Sequence, residues 1–130
     1  MLVNLISNAF KFSETGTIKV KAELRNKQTA SESDNDPYLL LSVSVEGAGI
    51  PADKMNVLFQ RFTQVNSSIS RERCGSGLGL AICKGIVEKM TGEIWAESKE
   101  GIGSNFIFTL PCRYFYNNLS IASISATIII

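Results

Sequence analysis

Apolar residues recur every three or four positions over Met1–Phe12, where Leu2, Leu5, Ile6, Ala9 and Phe10 share one face and Asn4 and Asn8 fall one turn apart on another. This spacing predicts an amphipathic helix. After a turn at Glu14–Gly16 the period changes to two: Ile18, Val20, Ala22 and Leu24 alternate with Lys19, Lys21 and Glu23 across Thr17–Leu24, as in a strand buried on one face. Arg25–Pro37 is polar and reads as a solvated loop, and Tyr38–Val45 as the next strand. Gly47 and Gly49 break that strand within Glu46–Pro51, and Met55, Leu58, Phe59 and Phe62 give Ala52–Phe62 the spacing of a short helix. Thr63–Gly77 carries neither period and reads as a lid-like connection. Leu78–Met90 is again helical, Glu93–Ser98 is a short strand around Trp95, and Asn105–Leu110 is another strand, entered through Gly101 and Gly103.

Composition narrows what this alternation serves. A chain of 130 residues suits one domain, and 13 basic against 12 acidic side chains leave a net charge of +1, with no global field to attract nucleic acid or an anionic membrane. Cys74, Cys83 and Cys112 form no CxxC pair, and the absence of histidine removes zinc sites and Ser-His or Cys-His couples. Reduced, intracellular thiols are expected. No signal segment opens the chain, and Met1 falls inside a helical pattern, so the start reads as truncated. Cys112–Ile130 has Arg113 as its only charge and an apolar stretch shorter than the roughly 20 residues that span a bilayer. Its β-branched content predicts an aggregation hazard if unpaired, and it suggests no function.

Cys74–Lys84, reading CGSGLGLAICK, carries the strongest chemical signal: glycines at alternate positions running into a helix let backbone N–H groups approach an anion near the helix's positive end. No Gly-Lys-Ser/Thr follows, which excludes a Walker loop, and no strand precedes, which disfavours a dinucleotide fold. Ser/Thr/Tyr kinases are excluded by the lack of HRD and DFG elements.

The remaining segments place this cradle. In chain order, NLISNAFKFS at Asn4–Ser13, GAGIP at Gly47–Pro51, LFQRF at Leu58–Phe62 and GSGLGLAI at Gly75–Ile82 resemble the asparagine, first glycine, phenylalanine and second glycine boxes of the ATP-binding catalytic domain of sensor histidine kinases. That domain belongs to the broader group that includes Hsp90, MutL and DNA gyrase. GEIWAES at Gly92–Ser98 and GIGSNFIFTLP at Gly101–Pro111 are similar to its closing strands, especially those of hybrid kinases.

The resemblance implies a two-layer α/β sandwich, a mixed sheet with helices on one face, over residues 1–111, followed by a hydrophobic tail at 112–130. The family's module usually begins with a further strand, so one sheet edge is expected to be missing or differently filled. ATP and Mg2+ are the implied cofactors. Asn8 matches the metal ligand, with Asn4 a turn before it; Lys11 matches a phosphate contact, and Arg71 in the lid-like loop is placed to fork onto a terminal phosphate. Gly75, Gly77 and Gly79 bring backbone donors, Leu78 and Leu80 close the core beneath, and Gly47, Gly49 and Ile50 belong to the first glycine box. Phe59 and Phe62 read as core or lid anchors and Trp95 as core.

The implied activity is that of a protein-histidine kinase module in two-component phosphorelay signalling, passing the ATP γ-phosphoryl to a histidine on a separate dimerisation domain. That domain, in trans or in a missing part of the protein, is the expected partner, with a receiver domain beside it. No nucleic acid is expected, membrane contact only through absent regions, and the module belongs on the cytoplasmic side.

One box departs from the family. The first glycine box normally reads Asp-x-Gly-x-Gly, its aspartate accepting a hydrogen bond from the adenine amino group; here, aligned without gaps, Val45 holds the aspartate position and Glu46 the next, or else the aspartate and its neighbour are deleted before Gly47, and Glu46 is a substitute acceptor if the loop shifts. Losing such a contact costs about 1.5–3 kcal/mol, a ten- to hundredfold loss of affinity. The alternatives are therefore a degenerate, inactive module acting as a regulatory or interaction domain and, less favoured, an ATPase of the Hsp90 or MutL type.

Overall fold

The computed structural model describes residues 1–13, 16–26, 37–61, 78–112 and 123–129. Helix α1 (Leu2–Phe12) buries Leu5 and Ala9 against the sheet. β1 (Thr17–Asn26) and β2 (Pro37–Glu46) pair antiparallel, Ile18 opposite Val45 and Val20 opposite Val43. Between β2 and the next strand lie a single helical turn, α2 (Ala52–Met55), and helix α3 (Gly79–Lys89). The hairpin of β3 (Glu93–Lys99) and β4 (Gly103–Pro111) follows, and β5 (Ser123–Ile129) ends the described chain.

The sheet order is β3-β4-β2-β1-β5. The two-layer α/β architecture is as expected, but every described pairing is antiparallel, so the sheet is not mixed. The reason lies in the hairpin. β2 and β3 run in the same direction across a helical connection, and β4 folds back between them, so the co-directional pair is never adjacent.

One sheet face is apolar and carries the helices. Ile18, Val43 and Phe108 meet Leu5, Val87 and Cys83 there, all fully buried. Burying each such side chain contributes about 1.5–3 kcal/mol. The opposite face carries Lys19, Ser44, Asn105 and Glu97 in one row and Lys21, Ser42, Ile107 and Trp95 in the next, with Ser44 donating to the Asn105 amide oxygen at 2.8 Å.

Several expectations shift against this frame. Trp95 belongs to the helix-free face, where its indole N–H points at Glu97 (3.4 Å), while Ile94 and Ala96 pack on the core. Phe10 is 44% exposed, because α1 touches the sheet along a narrower arc than its apolar spacing spans. The helix over Ala52–Phe62 is reduced to α2. Residues 57–60 instead make successive three-residue turns, such as Gln60 N–H to the Val57 carbonyl at 3.0 Å, which still deliver Leu58 and Phe59 to the core. β1 and β2 reach Asn26 and Pro37, into the stretch read as loop. The hydrophobic tail, read as an aggregation hazard if unpaired, supplies β5. The lid-like loop lies outside the described residues, and with it Phe62, Arg71, Cys74, Gly75 and Gly77.

Candidate functional site

Helices α1 and α3 lie side by side on the sheet with opposed directions: Met1 at the start of α1 stands near Cys83, and Asn8 near Gly79. This places the two asparagines differently. The Cys83 thiol donates to the Met1 carbonyl at 3.8 Å, and its pKa is pushed up by burial and drawn back in part by the Asn4 side chain. Asn4 is thus engaged within the helix pair. Asn8, one turn on, sits at the open end of α3, its amide nitrogen 3.8 Å from where a Cβ on Gly79 would stand.

That open end is electrostatically incomplete. Leu78 occupies the N-cap position without any side-chain cap, and the first backbone donor returned to the helix is Ile82 N–H, to the Leu78 carbonyl at 2.9 Å. Among the described residues nothing else accepts from the N–H groups of Gly79, Leu80 and Ala81 at this helix end, the arrangement that suits an anion. Leu80 packs its side chain on the core beneath. Lys11, exposed in the last turn of α1, is one turn beyond Asn8. An amide thus stands against the start of α3, with a cation one turn further along α1.

Two serines that no sequence pattern announced hold the neighbouring loop through hydrogen bonds. Ser13, the C-cap of α1, donates its hydroxyl to the Glu46 carbonyl at 3.0 Å and ties the end of α1 to the end of β2. Ser98 accepts the Ile50 N–H at 2.7 Å and donates to the Gly103 carbonyl, so the segment after β2 is pinned on the β3–β4 turn. Gly49 has φ +69 there, and a Cβ on it would lie 2.2 Å from the Lys99 carbonyl oxygen. Only glycine fits. Gly47 closes the same corner through its N–H to the Ile102 carbonyl, and Ile50 is buried.

Glu46 is not brought to this site. Val45 turns inward and is 9% exposed, and the alternation sends the Glu46 carboxylate to the helix-free face. There it lines a shallow depression of about 410 Å³ with Thr17, Lys19, Lys99 and Asn105. Among the described residues, no three His, Cys, Asp or Glu side chains converge to hold a metal. Asn8 therefore suits Mg2+ only as one oxygen ligand beside phosphate oxygens, the manner in which that ion is commonly held.

A family model described as histidine kinase-, DNA gyrase B-, and HSP90-like ATPase matches residues 1–114. The chain is 38% identical over 113 residues, 87% of its own length and 13% of the relative's, to the autoinducer 2 sensor kinase/phosphatase LuxQ of Vibrio parahaemolyticus. Among solved structures it resembles the mycobacterial sensor histidine kinase MprB, with TM-score 0.62 and 29% identity, covering 85% of this chain and 68% of that one. It also resembles full-length ShkA in complex with AMPPNP, with TM-score 0.58 and 28% identity, covering 85% of this chain and 20% of that one. The chain spans 5–13% of the length of eight curated relatives, described as sensor kinases, a hybrid histidine kinase or sensor proteins.

Proposed function

The chain belongs to the histidine kinase-, DNA gyrase B-, and HSP90-like ATPase family, and from that membership we propose that it is the nucleotide-holding module of a sensor or hybrid histidine kinase. The observation that carries the reading is Asn8 standing against the uncapped start of α3. Free N–H groups of Gly79, Leu80 and Ala81 receive the phosphates, Lys11 adds positive charge at the rim, and Asn8 offers an amide oxygen to the cation. Mg2+, when bound, neutralises phosphate charge as the phosphoryl group leaves. Phosphoryl transfer asks a protein chiefly for positioning and charge compensation, and these residues supply both. Arg71, Gly75 and Gly77 complete the phosphate side in this proposal.

The chain has no histidine. The phosphoacceptor is therefore a histidine on a dimerisation domain, outside these residues or in another polypeptide, with a receiver domain downstream. Ile82, Ile86 and Met90, exposed on α3 at four-residue spacing, offer an apolar stripe for such a helical partner. Among the described residues, no helix is long and apolar enough to cross a membrane; a cytoplasmic location is proposed from the ATP requirement and the free thiols Cys83 and Cys112.

The test is calorimetric titration of the whole chain with ATP and magnesium, followed by phosphotransfer to a histidine-bearing dimerisation domain supplied in trans. Saturable, magnesium-dependent binding is expected, and none at millimolar ATP would refute the reading. One observation favours a second reading, that of a binding-incompetent regulatory domain: buried Val45 leaves no carboxylate on the helix-bearing face at the position that the family gives to aspartate. Val45→Asp separates the two. A surviving nucleotide site gains about ten- to hundredfold in affinity, whereas a domain without one gains nothing.

A further inference from the structure

β1 is flanked by β2 over Ile18–Asn26 and, on its other side, by β5 over Thr17–Glu23. β1 and β5 lie far apart in the sequence, yet their patterns are in phase. Ile18, Val20 and Ala22 stand opposite Ile128, Ala126 and Ile124, and Lys19, Lys21 and Glu23 opposite Thr127, Ser125 and Ser123. In this register six of the seven pairs set residues of like polarity at opposed positions, the exception being Thr17 opposite Ile129. Shifting β5 by one residue would set isoleucines against lysines, so the register is specified by the sequence itself.

We infer that residues 123–129 are a sealing strand, donated in cis, that occupies the β1 edge of this domain and denies it to other chains. The segment lies beyond residues 1–114 matched by the family model, and the inference is independent of the nucleotide reading. Reach permits it. β4 ends at Pro111, opposite Tyr38, which pairs with Arg25, while β5 begins opposite Glu23. Start and finish therefore lie at one end of the sheet, three strand spacings or about 14 Å apart. The chain from Pro111 to Ser123 extends to roughly 40 Å. A connection so short also keeps the tail at an effective concentration in the millimolar range, far above that of any second copy. Chemistry gives it a purpose. Unpaired, an uncharged, β-branched segment and an open strand edge each template intermolecular pairing; paired with each other, they remove both hazards.

Cross-linking tests the register in the whole chain. Lys19→Cys with Thr127→Cys joins directly opposed positions and should close an intrachain disulfide under mild oxidation, identified by peptide mapping of the monomer. Lys19→Cys with Ser125→Cys joins diagonal positions about 7–8 Å apart, outside disulfide reach, and should close at least about tenfold more slowly. Equal closure of the two pairs, or closure only between chains, would overturn the inference. Hydrogen exchange supplies a second reading. Prolines at Ser125 and Ala126 together remove a ladder N–H whichever of them faces β1. Amides of residues 17–23 should then exchange at least about tenfold faster, while those of the β3–β4 hairpin stay protected as evidence of folding. Unchanged protection of residues 17–23 in that folded variant would equally overturn it, and if the variant does not fold, the cross-linking decides.

Discussion

Replacing Gly79 by alanine separates the stability of the fold from the use of the site. Among the described residues, a Cβ at Gly79 meets only the Asn8 amide nitrogen, at 3.8 Å, which is ordinary contact. No clash opposes the change, and exchanging glycine for alanine at the start of a helix stabilises by up to about 0.5–1 kcal/mol. The variant should therefore melt no lower than the parent, and higher by a few degrees at most. The methyl group, however, stands between Asn8 and the free N–H groups of α3, where a phosphate must come. Loss of one charge-assisted bond there costs about 1.5–3 kcal/mol, or ten- to hundredfold in nucleotide affinity. Gly85 on the same helix is the control: nothing lies within 4 Å of its Cβ position, so Gly85→Ala should give the same small gain in stability with no effect on binding. Calorimetric titration with Mg-ATP, paired with thermal melts with and without nucleotide, reads both quantities. If Gly79→Ala binds nucleotide within about threefold of the parent, a gap well below the predicted loss, the start of α3 is not the anion seat.

Other perturbations test other links. Gly92→Ala should destabilise by several kcal/mol in chemical denaturation, since its Cβ would fall 2.0 Å from the Thr109 carbonyl oxygen, a backbone atom that can move only with β4. The buried Cys83 thiol has its pKa raised above the ordinary 9.0. Above that pH the unfolded chain loses this proton before the folded one, so stability present below pH 9 declines as pH rises toward the folded value. Melts across alkaline pH should show a steeper decline for the parent than for Cys83→Ala. Ile86→Glu, on the exposed stripe of α3, should leave the melting temperature and ATP titration unchanged while lowering phosphotransfer in trans; unchanged transfer would remove α3 from the partner surface.

The elements legible in the sequence were those with one strict period. α1, β1, β2, α3 and the β3–β4 hairpin lie within a few residues of their expected bounds because one buried face dictates each. Trp95 was misread by size: the alternation of Ile94 and Ala96 already assigned it to the other face, but a lone tryptophan invites a core reading. Phe10 fell on the expected arc of α1 and found nothing opposite it. Asn8 stands beside Gly79 in the fold, two motifs that no spacing in the sequence relates and that only the family resemblance sets opposite each other. Ser13 and Ser98 were invisible, since a serine carries no signal until its distant partners, the Glu46 carbonyl and the Ile50 N–H, are known. β5 displayed its alternation openly, and only the matching phase of β1, at the other end of the chain, gave that alternation meaning.

Sheet order also constrains how the chain emerges during synthesis. β2 occupies the centre, yet its second neighbour, β4, is made only after both helices and β3. Until Gly103–Pro111 leaves the ribosome, the β1–β2 hairpin has one open flank at β2 and, until Ser123–Ile129 follows, another at β1. The nascent chain can form helices and hairpins early, but it completes its layer only once β5 has been made, a pattern of late, long-range closure associated with slow folding and with dependence on chaperones.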